Sequence, residues 1–146
     1  MKRVFAGIAV FLMTASSVQA APFRLYDVSD EQHCECDCYI SLHRANARPD
    51  SRGYKPAIVV ILSHAEIRID GQPIRLTETD EETSSGWPVY INEQAGVRLE
   101  PHLRRDGRVP DLGYLKFIGD IRVTYRGSSM NIPVDGLNWC DVGDDV

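Results

Sequence analysis

The chain is short of three things: long apolar runs, basic charge and helical periodicity. Its one extended apolar run, Val4 to Met13, has ten residues. A membrane-spanning helix needs about 20, so this run excludes an ordinary anchor. Lys2 and Arg3 precede it, and Val18-Gln19-Ala20 follows with small residues at the two positions a signal peptidase reads. That arrangement predicts a secretory signal over 1–20, cut after Ala20. The expectation is an exported protein, periplasmic or extracellular, whose mature part, 21–146, is a single domain with no membrane span.

The shortage of basic charge becomes sharper once the leader is removed. The whole chain has 16 basic and 21 acidic residues; without Lys2 and Arg3 it has 14 against 21, a net charge of −7. Such a surface repels nucleic acid and anionic lipid. If it has a charged partner, that partner is a basic protein.

Catalytic fingerprints are missing as well. There is no H-E-x-x-H, G-x-S-x-G, P-loop or dinucleotide motif. The four histidines, His33, His43, His64 and His102, share no metal-binding helical spacing. The acidic tail Asp141, Asp144 and Asp145 does not match the calcium-loop pattern. Arg104, Arg105 and Arg108 read as a polar turn around Asp106-Gly107.

Cysteine is scarce and oddly placed. Three of the four lie in HCECDCYI, residues 33–40, and the fourth is Cys140. In an extended strand Cys34 and Cys38 are about 13 Å apart, whereas a disulfide needs Cα atoms within about 7 Å. An even count in an exported chain favours disulfides. We expect Cys38, which opens an apolar strand, to bond Cys140, with Trp139 beside the bond and Cys34–Cys36 as a second, small ring. The pairings 36–38 with 34–140, and 34–38 with 36–140, remain open. No cofactor is expected on this reading. The alternative is copper or zinc held by His33, Cys34, Cys36 and Cys38. It suffers from the single-residue spacing and from the repulsion of Glu35 and Asp37. A thiol-exchange centre is the third option, and the same acids oppose it by raising the thiol pKa.

What the chain does have is a period of two. AIVVIL, 57–62, reads as a strand covered on both faces. EIRIDGQPIRLTET predicts a hairpin. A four-residue loop, 70–73, would pair Ile69 with Ile74 and Ile67 with Leu76, and set Arg68 opposite Arg75. DIRVTYRGSSMNIPVD predicts a second hairpin around 126–129, with Pro133 marking an edge strand open to a partner. Trp87, Val89 and Ile91 would share one face. Val97, Leu99 and Leu103 would share another, with Arg98, Glu100 and His102 outward. Leu115 and Phe117, FRLYDV and CYISLH supply the remaining strands. Residues 43–55 and 77–86 read as polar loops, and Ser29 to Gln32 as at most a helical turn.

The predicted fold is all-β: an antiparallel sandwich or small barrel of about eight short strands. The function it suggests is non-enzymatic binding in the cell envelope, such as an inhibitor of, or immunity protein against, a basic envelope enzyme. Asp80, Glu81 and Glu82, with Trp87 next to them, form the candidate contact patch.

Overall fold

A computed structural model describes residues 23–28, 38–110 and 112–140. The predicted turn at 29–32, and with it His33, Cys34 and Cys36, lies outside the described residues.

The described residues are all β, with no helix. The strands are β1 (Leu25–Tyr26), β2 (Ile40–Arg44), β3 (Ala57–Ile61), β4 (His64–Ile69), β5 (Gln72–Glu82), β6 (Pro88–Asn92), β7 (Val97–Arg108), β8 (Leu115–Tyr125) and β9 (Ser128–Asn138). Each strand from β2 to β9 pairs antiparallel with the next, and β9 returns to pair with β2. The sheet is therefore a closed, eight-stranded up-and-down barrel. β1 is an extra strand on β4. Of the two expected architectures, the barrel is the one formed.

Closure explains Pro133. The expected edge strand, β9, has neighbours on both sides. Pro133 is tolerated because its carbonyl accepts from Ala45 N–H, just past the end of β2. Its missing N–H points to the same side, where that strand has already turned away.

Both predicted hairpins form, with tighter turns than expected. Asp70 and Gly71 have φ of 49° and 84°, and Arg126 and Gly127 have 48° and 85°. These are two-residue turns whose twist suits the strands. Ile69 thus pairs with Gln72 and Ile67 with Ile74. Tyr125 pairs with Ser128 and Val123 with Met130. The shift from the expected registers is two residues, so each side chain keeps its face. It also removes the expected Arg68–Arg75 clash, because Arg75 now lies opposite Glu66 and donates to it at 3.1 Å.

Three other expectations are corrected, the last being the inward face of Trp87, Val89 and Ile91. The supposed loop 77–86 is largely strand, since β5 runs to Glu82 before turning through 83–87. The turn at Asp106-Gly107 is a bulge inside β7, with Gly107 at φ 87° supplying the left-handed step. The true turn follows at 109–114. In β6, Tyr90 belongs to the interior cluster, whereas Val89 is buried on the other face.

Alternation fills the barrel. Leu42, Ile67, Leu76, Leu99 and Ile121 are essentially inaccessible. Eight strands leave an interior that side chains can just fill. At one end Phe23 closes the barrel, its ring 5.6 Å edge-on from Tyr125. Paired hydrogen bonds between Arg24 and Asp70 hold this segment in place. At the other end the Trp87 ring meets Phe117 at 5.2 Å, and its Nε1 donates to the Leu103 carbonyl at 3.0 Å. The Cys38–Cys140 disulfide lies at this second end.

Candidate functional site

On β2 the alternation sends Ile40 and Leu42 inward, so Ser41 and His43 point out. Outward polar residues on a barrel are normally wet, yet these two are only 3% and 7% exposed. Two neighbours cover them: the loop 45–56 and Trp139, the residue after β9.

The loop is built around Asp50. Its Oδ1 accepts from the N–H groups of Arg52 at 2.9 Å and Tyr54 at 3.0 Å. This is the local turn that aspartate favours. The Tyr54 N–H, followed by the contacts with Arg52, holds the Asp50 carboxyl below the usual carboxylate range. Lys55 then clips the loop to the barrel, donating to the Ala45 carbonyl at 3.2 Å and pairing with Asp135 on β9.

Trp139 forms the other wall. Its ring stacks on Tyr39 at 5.9 Å and touches Tyr114 at 5.2 Å and Tyr54 at 6.1 Å. Its Nε1 donates to Ser41 Oγ at 2.7 Å, and that oxygen is 2.8 Å from His43 Nε2. His43 Nδ1 is buried and has no partner among the described residues.

Proton bookkeeping fixes the direction of this chain. An indole N–H only donates, and a serine hydroxyl has one proton. If Ser41 donates to Nε2, the indole, the hydroxyl and Nε2 are all satisfied. Only the Nδ1–H is then left over. If Nε2 carried the proton, both the Ser41 proton and the Nδ1 lone pair would be buried without partners, at roughly 1–3 kcal/mol each. The first arrangement therefore holds, and the leftover group is a donor.

His43, Tyr54, Lys55 and Trp139 border two adjoining clefts of about 770 and 430 Å3. The charges around them are mostly matched. Arg52 pairs with Asp50, Lys55 with Asp135, and Lys116 with Asp106 at 3.8 Å. Arg48, which lines the larger cleft, has no ion pair among the described residues. A smaller cleft of about 320 Å3 lies at the barrel end, between Ile40, Ile61, Trp87 and Tyr90.

The candidate patch from the sequence is laid out differently. Asp80, Glu81 and Glu82 are exposed at the end of β5, and Glu82 pairs with Pro88, next to Trp87. One hairpin thus brings the four together. Their side chains separate, because the Trp87 indole turns into the barrel end while the acids face solvent. Glu81 accepts from Arg98 at 2.6 Å. That hydrogen bond, and then the Arg98 charge, holds the Glu81 carboxyl below its ordinary range.

Of the cysteines, Cys38 and Cys140 are bonded, as expected. Among the described residues, no group of three or more His, Cys, Asp or Glu side chains is arranged to hold a metal. No helix there is long and apolar enough to cross a membrane. Arg104 and Arg105 are exposed near the end of β7, and Arg108 donates to the Gly113 carbonyl at 2.8 Å.

The His43 face escaped the sequence because its parts are remote. Ser41 and His43 are separated from Trp139 by almost the whole barrel and meet it only through closure. One signal was present: the S-x-H pair in ISLHR puts two polar groups on one face of an otherwise apolar strand.

The chain matches no protein-family model, no curated protein and no solved structure.

Proposed function

We propose that the protein is an exported, non-enzymatic binding protein of the cell envelope, periplasmic or extracellular, which holds its ligand outside the barrel at the His43 face. The observation that carries this is the enclosed Nδ1–H of His43, a donor without a partner among the described residues, between two clefts walled by aromatic rings. Buried polar groups are almost always satisfied, so an exception at a cleft points to a ligand. The signal-like leader and the Cys38–Cys140 bond support export.

Binding fits better than catalysis. The Ser41–His43 pair looks like a nucleophile and its base, but the hydroxyl is enclosed and tied to the indole. Among the described residues no carboxylate orients His43 at Nδ1, as a triad would require. The disulfide also withdraws Cys38 from copper or zinc ligation and from thiol exchange.

The chain has only two tryptophans, Trp87 and Trp139. They report on separate surfaces, so a fragment screen on the mature protein by NMR can locate binding. Fragments that move the Trp139 indole N–H and leave Trp87 still support the proposal. Fragments that move only Trp87, or none that moves Trp139, reject it.

A second surface supports a macromolecular partner. Glu78, Asp80, Glu81 and Glu82 are all exposed within five residues of β5. On a mature part, 21–146, of net charge −7 this strip suits a basic envelope enzyme, with the protein acting as its inhibitor or immunity factor. The triple change D80N/E81Q/E82Q should slow association with a basic cell-wall hydrolase and flatten its salt dependence. An unchanged rate and salt slope would remove the strip from the account.

A further inference from the structure

We infer that the His43 face selects a small monocarboxylate with a flat body. This rests on the proposal that the face binds a ligand. Three independent features define that chemistry.

The first is the sign of the unpartnered group. The Trp139–Ser41–His43 chain leaves an N–H at Nδ1, so the ligand must offer an acceptor. The second is charge. Among the described residues, Arg52, Lys55 and Lys116 each have an acid beside them, which leaves Arg48 as the uncompensated cation of the larger cleft. One cation matches one negative charge. A phosphate dianion would want several cations or a nest of backbone N–H groups. The planar guanidinium of Arg48 also suits a carboxylate, which it can grip with two parallel hydrogen bonds. The third is the wall. Tyr39, Tyr54 and Trp139 line it with aromatic rings, and a cleft of about 770 Å3 is of the size small molecules occupy.

Nδ1 is itself enclosed, so a carboxylate reaches it only when a neighbour gives way. Of the residues that border both clefts with His43, Tyr54 is the one free to move, since Lys55 and Trp139 are held by hydrogen bonds. Tyr54 is 53% exposed, and its ring makes only a tilted contact with Trp139. Its ring can swing without breaking the Asp50 turn, which uses the Tyr54 backbone N–H, or the Lys55 clip.

The test uses benzoate, its neutral isostere benzamide, and inorganic phosphate, each titrated into the mature protein. The readouts are the Trp139 indole N–H and the His43 ring nitrogens in NMR spectra. Benzoate should shift both and leave Trp87 still. Benzamide should bind about tenfold more weakly, the size of one charge-assisted hydrogen bond. Arg48 is exposed, so the R48M variant should fold, and it should reduce benzoate to the level of benzamide. If benzamide matches benzoate, or phosphate outcompetes it, the ligand class is wrong while the binding face stands. If R48M leaves benzoate binding intact, the charge assignment fails. If none of the three probes moves Trp139, the inference and the proposed binding face fall together.

Discussion

Cys38 and Cys140 meet in the register that β2 and β9 already share. Ile40 pairs with Asn138, Trp139 N–H donates to the Tyr39 carbonyl at 2.9 Å, and one step further out the two cysteines face each other with Cα atoms 4.5 Å apart. That spacing belongs to a non-hydrogen-bonded antiparallel pair. The bond continues the ladder at the one place where the barrel joins its first strand to its last.

Replacing both cysteines by alanine should therefore weaken the seam first. The bond spans 102 residues, for which chain entropy alone gives up to about 4.7 kcal/mol. Chemical denaturation of the C38A/C140A protein should show a loss of that order. Hydrogen exchange should speed up most in β2 and β9 and least between β7 and β8. Uniform acceleration over all strands would contradict a local role for the bond.

Gly119 sets a second limit. It pairs with Leu103, and a Cβ there would lie 2.0 Å from the His102 carbonyl oxygen. The obstacle is backbone, which has no rotamer to change. G119A should cost at least about 2 kcal/mol in denaturant unfolding. Gly127, at φ 85° in open space, is the control. G127A should cost only about 1 kcal/mol, from turn strain alone. Equal losses in the two variants would refute the close approach of β8 to β7.

Tyr90 should make the fold sensitive to alkali. Burial in the barrel, and then the nearby Glu78 carboxylate, push its phenol from 10.0 up to about 12. The unfolded chain releases this proton first. The stabilisation is therefore complete below pH 10 and is lost as pH rises through about 12. Between those limits stability should fall by about 1.4 kcal/mol per pH unit beyond the background. Unfolding midpoints across this range should fall less steeply in Y90F. Parallel curves for the two proteins would count against a buried phenol.

The faces of the strands were legible in the sequence, and their registers less so. Val97, Leu99 and Leu103 turn inward as their alternation predicts, because a period of two survives any even shift. The turn is two residues and not the four of 70–73, because the sequence around Asp-Gly allows either length. Only the positive φ of both residues settles it. The acidic run 77–82 looked like a loop because its charges are unusual for a strand. Charged residues are also what protects the exposed end of a strand from pairing with another molecule. Trp87 could be placed beside the acids but not turned away from them, since Leu103 and Phe117 reach it through tertiary packing. The His43 face was hidden most completely. Polar spacing on β2 hinted at it, but Trp139 comes into reach only when the barrel closes.

Closure also shapes how this chain must fold. Seven of the eight pairings in the barrel join strands adjacent in sequence, and all but β2–β3, with its loop 45–56, need only a short turn to be ordered. The eighth, between β2 and β9, carries nearly all the long-range entropy. A chain that has already oxidised Cys38 and Cys140 is a covalent ring from which that cost has been removed. The first and last strands of the barrel are neighbours before any sheet exists, and each remaining barrel pairing joins strands adjacent in sequence.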